Sequence, residues 1–397
     1  MTIRELAAAP AVAGSLHRLA GWEAWISRQQ LELSRIPAPT GLEGPRAEWY
    51  LRQMRRLGLT RCALDPAGNA LGWRIGLEPD LPAIALSAHL DTVFPPGLRL
   101  HPYVRKSKLM GPGIADNGAG LSALLAMMRA LQQARLRLRR SLLFVANVGE
   151  EGEGNLKGMR HLVERGRWRR QIGCIVVVDG AGDSAATNRG LASRRLHVKF
   201  SGPGGHSWSD AGRPSAIHAL QRSLARLLQR ARTRPGESVL NIGVIEGGNS
   251  INSIAAEAGA RLDLRSVAAR GLDRLEREVR AAVAAGEREE NHLARGGRVQ
   301  GHIEILGARP GGALPASAPL WRQLRGVDRF LGIATQPRLA STDANIPLSK
   351  GIPAIAIGAG GSAGGTHTLQ EWFDPAGREL GLKRLLLLTL SLAEVAR

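Results

Sequence analysis

Short apolar runs bounded by turn residues recur at 83–88, 141–148 (SLLFVANV), 173–179 (GCIVVVD) and 353–358 (PAIAIG), and each reads as a buried strand. Between the first three the period changes. Residues 118–132 (GAGLSALLAMMRALQ) place apolar side chains three and four apart, and 155–168 does so more weakly, which predicts two amphipathic helices. Strands alternating with helices predict an α/β unit, a mostly parallel mixed sheet with helices on both faces. From about residue 192 the texture shifts: LHVKFSG alternates, a helical pattern follows at 214–232, strand patterns at 238–246 and 258–266, a helix at 271–285 and a last strand at 301–307. That order predicts an inserted α+β unit of ferredoxin-like type. The α/β texture resumes near 309, with a helix at 316–332 and a C-terminal helix at 379–394. The predicted organisation is a first α/β part over 1–191, an insertion over 192–306 and a second α/β part over 307–397.

A chain of 397 residues is long enough for two such units. No apolar run reaches the ~18–20 residues of a spanning helix, and LLLLTLSLA near the C-terminus is flanked by charge, so no membrane association is expected. ELAAAPAVAG near the N-terminus follows an acid, is broken by proline and has almost no basic leader, which predicts no signal peptide. Cys62 and Cys174 make neither a disulfide framework nor a thiolate metal site, and a cytoplasmic setting is expected. The formal charge of +20 raises nucleic acid as a partner. Composition weighs against it: 48 of the 54 basic residues are arginine, spread through helical stretches such as ARLRLRR, and only 4% of residues are aromatic. A nucleic-acid surface more often shows a compact basic patch with interleaved aromatics, so the arginines read as a solvated face.

Polar clusters follow the predicted parallel strands. His89 and Asp91 end the first, Glu150 and Glu151 follow 141–148, Asp179 ends 173–179, Asp116 lies in GPGIADNGAG, and His367 in GGTHTLQEW follows the glycine loop after the last strand. Each has a plainer reading alone, a strand-end hydrogen bond for the histidine or solvated loop charge for GEEGEG. Together they form a ligand set of imidazoles and carboxylates without thiolate, suited to Zn²⁺, Co²⁺ or Mn²⁺. In open α/β sheets such groups converge outside the carboxyl ends of the strands. A carboxylate bridging two ions ~3.5–4 Å apart makes a site that activates water and polarises a carbonyl. Asp91, on the same face of an extended backbone as His89, is expected to orient its imidazole.

In order and spacing, SAHLDTVFP, GPGIADNGAG, NVGEEGEG, VVVDG, GPGGHSW, GGNSIN and GTHTLQEW resemble the di-zinc amidohydrolase family that includes peptidase T, acetylornithine deacetylase and succinyl-diaminopimelate desuccinylase. The resemblance covers nearly the whole chain, and its motifs are specific as a set. It implies two divalent metal ions, with Asp116 bridging them, His89 and Asp179 completing one, and Glu151 and His367 the other. It implies Glu150 as general base and Asp91 as the residue that orients the histidine. The insertion corresponds to the family's lid and dimerisation domain, which implies a homodimer in which His206 of GGHS stabilises the oxyanion in the neighbouring subunit's site. Asn252 and Arg265 match positions that contact substrate, although for Arg265 an ion pair with Asp263 or a neighbouring acid competes with that role.

Within the family, aspartate at the position of Asp179 goes with aminopeptidases and dipeptidases, and glutamate with carboxypeptidases and acyl-amino-acid deacylases. Glu371 and Trp372 in GTHTLQEW and the STDAN stretch at 341–345 also resemble peptidase-T-type members. For Glu371 the choices are support of a ligand, a contact with a substrate amine, or a helix N-terminal charge. The resemblance thus implies an exopeptidase acting on short peptides, with an N-acyl-amino-acid deacylase as the alternative.

Overall fold

The computed structural model describes residues 1–232 and 237–396. The chain forms two compact units, one of residues 1–190 with 312–397 and one of residues 191–311.

The first unit is built on a nine-stranded mixed sheet, whose main path runs Thr60–Leu64, Ala70–Arg74, Leu142–Asn147, Ala83–His89, Ile172–Val178, Ala354–Ile357, Ala185–Gly190 and Gly312–Ala313. The four central strands, Leu142–Asn147 to Ala354–Ile357, are parallel, and antiparallel pairs extend them on both sides. Every residue of Ala83–His89 and of Leu142–Asn147 is buried. This accounts for their uninterrupted apolar runs, since helices cover both faces. The Gly118–Ala134 helix starts next to the strand ends because Asn117 caps it, accepting from Gly120 N–H at 3.0 Å. Gly120 has to be glycine: a Cβ there would lie 2.4 Å from the Val178 carbonyl oxygen.

Two stretches differ from expectation. The first fifty-six residues, for which no element is predicted, form the helices Ile3–Ala8, Pro10–Gly21, Glu23–Ser34 and Gly44–Arg56. They bury Leu6, Val12, Leu19, Ile26, Leu33, Tyr50 and Met54 in the main core. The helix predicted at 155–168 is one α-turn, Lys157–Arg160, running into a wider turn at His161–Arg165.

The second unit is a four-stranded antiparallel sheet in the order Ser238–Gly247, Glu257–Ser266, Ala192–Ser201, Gln300–Arg309, with helices Ala216–Arg232 and Ala269–Leu293. Leu196, Val198 and Phe200 alternate with polar residues and pack with Ala260, Leu262, Leu220, Leu224 and Val279. The β-α-β-β-α-β order makes it the ferredoxin-like insertion expected from the sequence.

Candidate active site

The parallel strands deliver their polar ends to one place. His89 closes its strand, Asp179 follows Val178, and Glu150 and Glu151 come three and four residues after Asn147. The His89 Nε2 lies 3.0 Å from Asp116 Oδ1 and 3.7 Å from Asp179 Oδ1. On the other side of the same carboxylate, Asp116 Oδ2 lies 3.2 Å from His367 Nε2, which is 3.0 Å from Glu151 Oε1. Three groups of ligand atoms lie within 4.8 Å of one another: His89, Asp116 and Asp179; Asp116, Glu151 and His367; and His89, Glu150 and Glu151. Glu150 alone of the five carboxylates and imidazoles around Asp116 shares a group with His89 but not with Asp116.

This donor set suits divalent cations. Each oxygen of Asp116 faces a different imidazole, the geometry of a carboxylate shared between two centres, and the donors are nitrogen and oxygen only. Burial opposes charge on His89, yet its hydrogen bonds with Asp116, Asp179 and Asp91 lift its pKa well above the ordinary value. His367, held chiefly by Asp116, rises to about 9. Asp116 is pushed up by burial but pulled below the usual carboxylate range by the two histidines. Burial raises Glu151. Without a cation, the positive charge that the carboxylates hold in place is that of the two imidazoles.

Around this cluster lies a layer of buried supports. His89 Nδ1 is 3.0 Å from the backbone oxygen of Asp91 and 3.6 Å from its carboxylate, so the peptide oxygen is the nearer partner of the ring. The Asp91 carboxylate accepts from the backbone N–H of Glu150 at 3.0 Å and of Glu151 at 2.8 Å, and from the Thr40 hydroxyl at 2.9 Å. Asp91 therefore fixes the backbone of both glutamates as well as the histidine. Asn117 donates to the Val178 oxygen at 2.8 Å and accepts from Gly180 N–H at 3.2 Å, which ties the Asp116 loop to the strand that carries Asp179.

Glu371, fully buried, accepts from the backbone N–H of Gly113 and Ala115 at 2.8 Å and of Asp116 at 2.9 Å. Residues 372–374 form a strand, so a helix-start charge is not its role. Glu43 accepts from Gly149 N–H at 3.0 Å, and Arg46 donates to the Leu90 oxygen at 2.8 Å. The sequence reading gave no role to Thr40, Glu43, Arg46, Asn117 or Asn147. The one signal they offered was polar type within or beside otherwise apolar stretches, as at Asn147 in SLLFVANV.

Three sequence-predicted residues belong to the second unit. His206 and Asn252 are neighbours there: Gly205–His206 pairs with Ser253–Ile254, and Ser207 N–H donates to the Asn252 backbone oxygen at 3.0 Å. The exposed His206 ring accepts at Nδ1 from Trp208 N–H at 3.2 Å, leaving the hydrogen on Nε2. Arg265 donates to Asp263 at 2.7 Å, the ion pair named above as the alternative to a substrate contact.

The family model described as peptidase family M20/M25/M40 matches residues 85–390. A peptidase M20 domain-containing protein of Schizosaccharomyces pombe is 30% identical over 190 residues, which are 46% of this chain and 44% of that relative, so the match spans less than half the relative's length. A tripeptidase from Staphylococcus aureus superimposes with a TM-score of 0.77 at 21% identity, covering 94% of this chain and 98% of that one. A hydantoinase/carbamoylase family amidase from Burkholderia ambifaria does so with a TM-score of 0.63 at 19% identity, covering 96% and 98%. At such identities the structural likeness speaks for the fold.

Proposed function

The chain belongs to peptidase family M20/M25/M40, and from that premise we propose that it is a di-zinc exopeptidase that hydrolyses an amide bond in short peptides, from the amino end. The observation that carries the reading is Asp116, whose two oxygens face two imidazoles while Glu150 stands beside one of them. His89 and Asp179 would hold one cation, Glu151 and His367 the other, with Asp116 between them. Cobalt or manganese suits the same donors. Bound there, the cations would acidify a water and polarise the scissile carbonyl.

The remaining steps fall to the chain's own groups. Glu150, buried and held by Asp91 through its backbone, takes the proton of the attacking water and passes it to the leaving nitrogen. His206, with Nε2 as donor, supplies a hydrogen bond to the developing oxyanion in the site of a second subunit. Asn252 contacts substrate, and Arg265 pairs a substrate carboxylate only by leaving Asp263. A homodimer through the inserted unit is supported by its edge strand Ser238–Gly247, which exposes Val239 and Ile245, and by Ile217 and Leu228 exposed on the adjoining helix. Among the described residues no helix is long and apolar enough to cross a membrane. A cytoplasmic location belongs to the same proposal.

Asp179, the residue type that the family resemblance associates with amino- and dipeptidases, favours peptides over N-acyl amino acids. Hydrolysis of free di- and tripeptides beside N-acetyl and N-succinyl amino acids tests the reading, on protein reconstituted with Zn²⁺, Co²⁺ or Mn²⁺ and on a chelated control. Metal-dependent amine release from the unblocked peptides is expected. Cleavage confined to the N-acyl substrates transfers the reading to a deacylase, and no turnover on any member overturns it.

A further inference from the structure

Asp343 lies in STDAN, between the Gln336–Ala340 strand and the Asn345–Ser349 helix, in a turn closed by Thr342 N–H on Asn345 Oδ1 at 3.0 Å. It is fully buried, and its Oδ2 accepts from Asn147 Nδ2 at 2.6 Å. Among the described residues its Oδ1 has no hydrogen-bond partner, nor has Asn147 Oδ1. A lone carboxylate with a bare oxygen is a costly thing to bury, and it needs a reason.

Asn147 points to one. It is the register neighbour of His89 in the parallel pair, and its backbone oxygen accepts from Leu90 N–H at 2.7 Å, the residue between His89 and Asp91. Asp343 thus anchors the strand end that holds the His89–Leu90–Asp91 segment. Burial raises its pKa to about 7, against the pull of His89 and Asn147 and with the push of Asp179 and Asp91. Its charge thus meets one imidazole and two carboxylates of the strand ends, besides its hydrogen bond with Asn147.

We propose that Asp343 is a positioning residue for metal binding, a negative charge behind His89 and Asp179 that strengthens the hold on a cation while weakening the metal-free fold. The proposal rests on the metal-site reading given above. A purely structural residue and this one differ in sign. Replacing a structural carboxylate lowers the stability of the metal-free chain, whether or not its affinity for metal changes. Replacing this one lowers the affinity without lowering that stability, because the neutral side chain is cheaper to bury and attracts a cation less.

The test is Asp343→Asn, which keeps an acceptor for Asn147 and removes the charge. Affinity for Zn²⁺ is measured by competition with a chromophoric chelator on the full chain, and the Tm of the metal-free protein is measured at pH 8. We expect affinity to fall by roughly 10- to 100-fold, with a metal-free Tm equal to the parent's or higher. Unchanged affinity overturns the proposal, and so does a fall in metal-free Tm, with or without a loss of affinity. Asp343→Ser, smaller and also neutral, gives the same affinity comparison if the asparagine variant does not fold. A parent protein that takes up no metal would instead refute the metal-site reading, so the two failures are distinct.

Discussion

Glu371 offers a perturbation whose size follows from counted contacts. Its carboxylate receives three backbone N–H groups of the 113–116 loop, two on Oε1 and one on Oε2, and no side-chain donor among the described residues competes for it. Glu371→Gln leaves an oxygen for Ala115 and Asp116 but turns an NH₂ toward the Gly113 N–H, so one buried donor loses its acceptor. An unsatisfied buried group costs about 1–3 kcal/mol, and the two retained bonds lose the strength of a charged acceptor, about 1 kcal/mol together. Burial also raises the Glu371 pKa, so the wild-type carboxylate already carries a desolvation cost that the amide avoids. The balance is a destabilisation of about 2 kcal/mol, or roughly 4–8 °C in the Tm of the first unit. Because the same bonds hold the backbone of Asp116, metal affinity is expected to fall as well, by about tenfold. Thermal unfolding of the metal-free and metal-loaded protein checks both. An unchanged Tm with full metal content would refute the claim that this carboxylate holds the loop.

The other expectations can be checked on the same preparations. Glu150→Gln should keep its metal and lose about 10²–10⁴-fold in kcat; full turnover by stopped assay, with metal content confirmed, would remove Glu150 from the reaction. His206→Ala should cost about 10²–10³-fold in kcat with unchanged metal content. If His206 serves a second subunit, exchanging subunits of His206→Ala with those of Glu150→Gln restores up to about a quarter of wild-type activity; no recovery in exchanged mixtures would place the residue elsewhere. Metal-free protein should also lose stability with rising pH. The pKa of His367 is about 9 in the fold, above its ordinary 6.5, so its contribution is fully present below pH 6.5 and is lost as pH rises through 9. Chemical denaturation across that window, with and without Zn²⁺, should show the loss only in the metal-free protein, and a flat metal-free profile would contradict it.

The parallel core was legible because burial on both faces leaves a plain record in sequence: Ala83–His89 and Leu142–Asn147 are wholly buried, and their runs are apolar up to the residue where chemistry begins. The Glu23–Ser34 helix was not, since it buries Gln29, Gln30 and Ser34 beside Ile26 and Leu33 and so blurs the helical period. The helix expected at 155–168 failed for a local reason. A Cβ on Gly158 would lie 2.5 Å from the Val148 oxygen, so this turn is pressed against the strand end instead of continuing as a regular helix. Side-chain supports were out of reach for another reason. Glu371 meets Gly113 across 258 residues and Asn147 meets Asp343 across 196, and nothing local in either stretch announces the partner.

What the sequence does announce, strand-end carboxylates and histidines, is the part of the site that is costly to fold. Asp91, Asp116, Glu150 and Glu151 are each mostly or wholly buried within one neighbourhood, with His89, His367 and backbone N–H groups as the chief compensation. Like charges at such density are unfavourable without a cation, and the excess is offset by the wide apolar sheet beneath them. A cation bound at such a site would stabilise the fold by RT ln(1 + [L]/Kd), about 4 kcal/mol at a thousandfold excess over Kd. The chemistry and the stability of this unit are therefore coupled through the same carboxylates. Changes that ease their burial should raise the metal-free Tm while lowering metal affinity, and changes to apolar residues far from them should shift stability alone.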